Sequence, residues 1–219
     1  MIAHRVSESS SAGASADASA SASASESTDS SAGTAVRLRR RGVRRWAVPT
    51  LEVGSGMALA VVGLIAVGWS PALVGVLYLA AVTPALVRID LTVHRLPNVL
   101  VLPGYAAAGV SVVLTWVADG GLPAAALIAG AAWFGFLLLL NLAGGMGMGD
   151  VKLGGVLGLV LGAISVDAAL LGPMLAFLSG GIAAIVLLVV RRRRGTRMPF
   201  GPYLLLGFWA AVLLSSSPL

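Results

Sequence analysis

Polar and apolar residues divide this chain into two unequal parts. Residues 1–34 alternate serine and alanine with scattered acids and hold no apolar run. From residue 53 onward, apolar stretches follow one another with only short polar breaks. A segment so poor in apolar side chains cannot bury enough surface to offset the entropy lost on ordering, so disorder is expected there. Its basic residues and apolar stretches are also in the wrong arrangement for a signal peptide. The expected division is a tail with a basic juxtamembrane segment over 1–45, and one membrane domain over 46–219.

The apolar stretches predict spans at 53–69, 71–89, 98–117, 122–142, 151–168, 172–190 and 200–216. Roughly 20 residues of helix cross the hydrocarbon layer. Backbone groups must be satisfied inside the bilayer, and continuous apolar runs do not suit barrel strands, which alternate. The fold class is therefore all-α: a polytopic transmembrane helix bundle of six to seven spans. The count turns on the tight connection Trp69-Ser70-Pro71 between the first two.

Composition strengthens this picture. Of 219 residues, 58% are hydrophobic and 11% charged, against about 45–50% and about 25% in a soluble domain. The absence of cysteine excludes disulfides and cysteine-ligated zinc. Net charge is +6, but its placement says more. Basic residues fall in the arm Arg37–Arg45 (with Arg5), at Arg88 and Arg95, at Lys152, and in the run Arg191–Arg194 with Arg197. With the N-terminus in the cytoplasm, all 15 Lys and Arg lie on the cytoplasmic side, and the outer connections carry only Asp119 and Asp167. That is the positive-inside pattern. A nucleic-acid surface would interleave basic and aromatic residues on a soluble face, and only Trp46 lies near the basic arm. The partner implied is the lipid bilayer, with no nucleic acid.

The same topology sets Asp90 and Asp150 on one membrane face, joined by a helical hairpin that goes out and returns. Carboxylates at membrane depth are costly and face a bundle interior or a wet cavity. Asp90 precedes Leu96-Pro97-Asn98, where proline turns Leu96 away from helix and Asn98 is expected to cap the next span. Asp150 follows a glycine cluster (Gly144, Gly145, Gly147, Gly149) that lets another backbone approach. Each aspartate alone reads equally well as a helix terminus. Together they suit acid–base hydrolysis: close carboxylates share a proton, so one activates water while the other donates to a carbonyl. No metal and no cofactor is called for. Among lesser candidates, Lys152 serves either to steady charge or to anchor topology. His94 reads as a candidate proton carrier or a solvated loop residue, Asn141 suits an interhelical hydrogen bond, and Phe200-Gly201-Pro202 suits a cavity floor or a helix start.

Three ordered blocks resemble the prepilin peptidases, the type IV leader peptidases of the GxGD class of intramembrane aspartic proteases. They are Asp90 with Leu96-Pro97-Asn98, then Gly147-Met148-Gly149-Asp150-Val151-Lys152-Leu153, then Met198-Pro199-Phe200-Gly201-Pro202-Tyr203. The resemblance covers about residues 55–216 and implies Asp90 and Asp150 as the catalytic pair. It places Gly147, Gly149, Lys152, Pro97, Asn98, Pro199, Phe200, Gly201 and Pro202 around the site. The implied substrate is a pilin-like protein with a short basic leader ahead of an apolar helix, cut at the cytoplasmic face of a bacterial cytoplasmic membrane. Larger family members carry a cysteine-paired cytoplasmic insertion associated with methylating the new N-terminus. This chain has no cysteine and looks like the short Tad- or Flp-type form, so no methyltransferase activity is expected. Two rival classes are a proton-coupled transporter and a non-catalytic scaffold of a pilus or secretion machine. The first predicts an internal repeat and mid-span acids; the second does not need both aspartates.

Overall fold

The computed structural model describes residues 50–191 and 199–215. The tail, the arm Arg37–Arg45, Arg192–Arg194, Arg197 and Met198 lie outside the described residues. Seven helices follow in order among the described residues: α1 Thr50–Val67, α2 Leu73–Val93, α3 Asn98–Asp119, α4 Ala124–Leu142, α5 Met148–Ile164, α6 Val166–Arg191 and α7 Gly201–Ser215. The all-helical expectation holds. Four of them (α2, α3, α4 and the first 22 residues of α6) are long and apolar enough to cross a membrane, and α1 and α7 are shorter apolar helices.

Helix α5 sits at the centre, buried along most of its length from Asp150 to Gly162. Its glycines recur every four residues at Gly154, Gly158 and Gly162, which clears one stripe of the helix of side chains. Helix α4 lies in that stripe, backbone against backbone. A Cβ added at Gly158 would stand 2.6 Å from the Ala129 carbonyl oxygen, and one at Gly162 would stand 2.6 Å from the Ala126 Cα. Small residues permit such close packing, which carries helix association where lipid is as apolar as the side chains. Helix α7 is laid against α6 in the same manner, at Gly207 against the backbone of Gly172 and Ala176.

Helix α2 is fastened to its neighbours by polar bonds. The Ser111 hydroxyl accepts the Gly75 N–H at 2.9 Å, so α3 satisfies a donor in the opening turn of α2. Tyr78 donates to the Leu100 carbonyl at 2.5 Å. Further along, the Trp209 indole of α7 donates to Thr83 at 3.2 Å, two turns before Asp90. Arg88 lies inside α2 and pairs with Glu52 of α1.

The predicted break between the fifth and sixth spans is misplaced. The predicted spans leave the break at 169–171, but the chain turns at Ser165, which is extended and whose hydroxyl accepts the Ala168 N–H at 3.0 Å. Serine in that geometry is a helix start. Pro173 then lies inside α6. A proline lacks the N–H that would reach the carbonyl four residues back, here that of Ala169. The Trp133 indole of α4 supplies the missing donor at 3.1 Å, which is why a proline is tolerated there. Trp133→Phe keeps most of the ring but orphans that buried carbonyl. It is expected to cost about 1–3 kcal/mol, read as a lower thermal midpoint in detergent.

Candidate active site

Asp90 does not open a connection, as its place beyond the apolar run suggested, but occupies the last turn of α2. An apolar run ends where solvent or a cavity begins; the helix itself continues to His94, which closes it with φ 54° and donates its N–H to the Asp90 carbonyl at 2.9 Å. The short linker beyond it leads into α3. Asn98 does not cap that helix. Pro97 takes the cap position, with φ −75° and ψ 129°, and no side chain bonds there. Asn98 is free to turn its Oδ1 to the Lys152 ammonium at 3.1 Å, which links the start of α3 to the first turn of α5.

Asp150 is the third residue of α5, behind the extended Gly147. The loop before it is closed locally: Gly144 adopts φ 81°, and Asn141 donates to the Met146 carbonyl at 2.7 Å. Asn141 therefore shapes the approach to Asp150 and does not bridge helices. Its amide sits at the end of an apolar helix five residues before that carbonyl, which is the signal for such a loop clasp. Gly149 has no room for a side chain, since a Cβ there would stand 2.8 Å from the Leu96 Cβ. This is the close backbone approach that the glycine cluster predicted. Tyr105 of α3 was not singled out from sequence; its hydroxyl donates to the Lys152 carbonyl at 2.8 Å and pins the same turn.

Helix α7 completes the site. The Gly201 N–H donates to Asp90 Oδ2 at 3.0 Å. A Cβ on Gly201 would stand 2.8 Å from that oxygen and 3.5 Å from Asp150 Oδ1, so both carboxylates converge on one point beside its backbone. Asp90 is 3% and Asp150 8% exposed. Asp150 Oδ1 is buried and accepts no hydrogen bond. The two carboxylates border a cavity of about 560 Å³ walled by His94, Arg95, Leu96, Gly144 to Gly149, Lys152, Pro199 and Phe200. Pro97 and Pro202 are not in that wall; they begin α3 and α7. Phe200 joins a row of rings, with centroids 5.1 Å from Phe177 and 6.2 Å from Tyr203. The cavity is polar, open at one end of the bundle, and bordered by backbone where the glycines lie. It can admit an extended peptide and a water between two carboxyl groups.

The model for the type IV leader peptidase family matches residues 76–189, more than half of the chain and inclusive of both aspartates. The chain belongs to the type IV leader peptidase family. It is 32% identical over 183 residues to the prepilin leader peptidase/N-methyltransferase of Aeromonas salmonicida, covering 77% of this chain and 58% of that protein. Similarity to the protein of the same description from Aeromonas hydrophila is 32% over 174 residues, or 74% and 56% of the two chains. The one from Pseudomonas putida is 34% identical over 179 residues, or 75% and 58%. The chain thus matches less than two thirds of the length of each of these leader peptidases. No solved structure matches it. Membership in this family, with several apolar helices, makes it a membrane protein.

Proposed function

We propose that this leader peptidase relative is an aspartic endopeptidase that removes the short basic leader of type IV prepilin-like proteins. The observation that carries the reading is the meeting of Asp90 and Asp150 beside the Gly201 backbone at one end of the bundle. The relatives' description as prepilin leader peptidases supports the substrate class. One carboxyl group takes a proton from water as the water oxygen attacks the scissile carbonyl, and the other protonates that carbonyl. The glycine-lined wall lets an extended strand lie against the protein backbone, which the cut requires because a helix hides its carbonyls in its own hydrogen bonds.

Lys152, Asn98, Gly147, Gly149, Pro199, Phe200 and Gly201 shape the site around this pair, while Pro97 and Pro202 set the starts of the helices that deliver it. The basic residues argue for an N-terminus and a site at the cytoplasmic face of a bacterial membrane. Residues 1–45 form a separate tail to a peptidase domain over 46–219. Methyl transfer, the other half of the relatives' description, does not enter this reading, because the chain has no cysteine to pair. Both aspartates stand at helix ends, not at mid-span, which counts against proton-coupled transport.

The test is co-expression of the chain in membranes with a pilin-like protein bearing a short basic leader before an apolar helix. The leader is expected to be released, giving a shortened product with one new N-terminus. If a panel of such substrates stays uncut while a known leader peptidase cuts them, the reading fails.

A further inference from the structure

The two carboxyl groups are buried side by side but are held differently. Asp90 Oδ2 accepts a backbone N–H from the opening of α7. A main-chain amide has no lone pair to offer in return and cannot rotate away, so it serves an ionised oxygen best. His94 and Arg95 border the same cavity. Asp150 has the Gly147 N–H beside its carboxyl on the Oδ2 side, while its Oδ1 is buried on the Gly201 side with no donor at all. A buried anionic oxygen without a donor is costly, whereas a hydroxyl at that position is itself a donor awaiting an acceptor. The cation closest along the α5 chain, Lys152, is turned to Asn98. Helix α1 contributes only Glu52, already paired with Arg88.

We propose that the Gly201 N–H fixes the division of labour in the pair: Asp90 is the base that takes a proton from the attacking water, and Asp150 is the acid that protonates the scissile carbonyl from Oδ1. This deepens the endopeptidase reading and rests on it. In the first step a water O–H bond breaks and its proton passes to Asp90 as the oxygen bonds the carbonyl carbon. At the same time the Asp150 proton passes to the carbonyl oxygen, giving a neutral gem-diol. In the second step the C–N bond breaks and the departing nitrogen takes the proton from Asp90. Asp150 recovers a proton from one diol hydroxyl as the new carboxyl group forms. Both groups return to their starting states, and peptide plus water becomes acid plus amine. Gly201 is a positioning residue here; it touches Asp90, not the substrate.

The experiment is the pH profile of kcat/KM for leader cleavage by the purified full chain, compared with Asp90→Asn and Asp150→Asn. Asparagine keeps an N–H donor but can accept no proton. Asp150→Asn should still polarise the carbonyl and lose about 10²-fold, whereas Asp90→Asn has no base and should lose about 10⁴-fold. The residual activity of Asp150→Asn should keep the acid limb, set by ionisation of Asp90, and lose the alkaline limb, set by loss of the Asp150 proton. His94 borders the same cavity and is another side chain there able to carry a proton. The alkaline limb should therefore survive in His94→Asn, a residue that tolerates the left-handed backbone there. Equal losses in the two aspartate variants, the reverse order, or an alkaline limb that vanishes with His94 would overturn the assignment while leaving the dyad in place. Undiminished cleavage in either aspartate variant would instead remove the aspartic reading itself.

Discussion

Asp90→Ala and Asp150→Ala are each expected to reduce leader cleavage by about 10⁴-fold or more, with the double variant no worse than either single one. On the proposed mechanism the two groups act in one concerted proton exchange, so once one is gone the other has nothing to complete. Their effects on stability should differ in size. Asp90→Ala leaves the Gly201 N–H without its partner in a buried place and should cost about 1–3 kcal/mol. Asp150→Ala removes the donorless Oδ1 but also the Oδ2 beside the Gly147 N–H, so it should move the thermal midpoint less than Asp90→Ala does. Cleavage rates and melting curves on the same purified samples decide both points. A cut that survives in either variant would mean that the aspartates are structural.

Gly158→Leu is expected to prevent the bundle from forming a stable α4–α5 pair. The obstacle is main chain, not a side chain that could swing aside: a Cβ there would meet the Ala129 carbonyl oxygen at 2.6 Å and its carbon at 2.9 Å. Relief requires moving one helix away from the other along its length. Overpacking of this kind costs about 3 kcal/mol or more when the neighbours cannot yield. Gly135→Ala is the matched control on α4, because nothing lies within 4 Å of its missing Cβ. It should be neutral or slightly stabilising, since glycine is a poor helix former. Accumulation in membranes and thermal unfolding in detergent read the contrast. Equal behaviour of the two variants would contradict the close α4–α5 packing.

What the sequence revealed and what it hid follow from the range of the interactions. Apolar runs are local, so the all-helical fold and most span positions could be read directly. The blocks around Asp90, Gly147–Asp150 and Gly201 are local too, and the structure gathers them at one cavity. The break at Ser165 lies inside a run apolar enough to read as one span, and Pro173 of the next helix depends on a distant donor. That donor is Trp133, 36 residues from Ala169, and no local pattern announces the bond. Asn98 was misread for a related reason: Pro97 already fixes the helix start, and the asparagine serves Lys152, 54 residues away. Tyr105 reaches Lys152 over a similar separation and carries no motif. One signal was in plain view and unused. Glycines at 154, 158 and 162 repeat at the spacing that joins helices in membranes.

The hydrogen bond from Gly201 to Asp90 spans 111 residues of chain. Both aspartates leave the ribosome well before the donor that orients one of them. A nascent chain stopped short of α7 already holds its two carboxyl groups, yet lacks the amide that aligns Asp90 and the Phe200 wall of the cavity. If the pair is catalytic as proposed, proteolytic competence arrives only with the final helix.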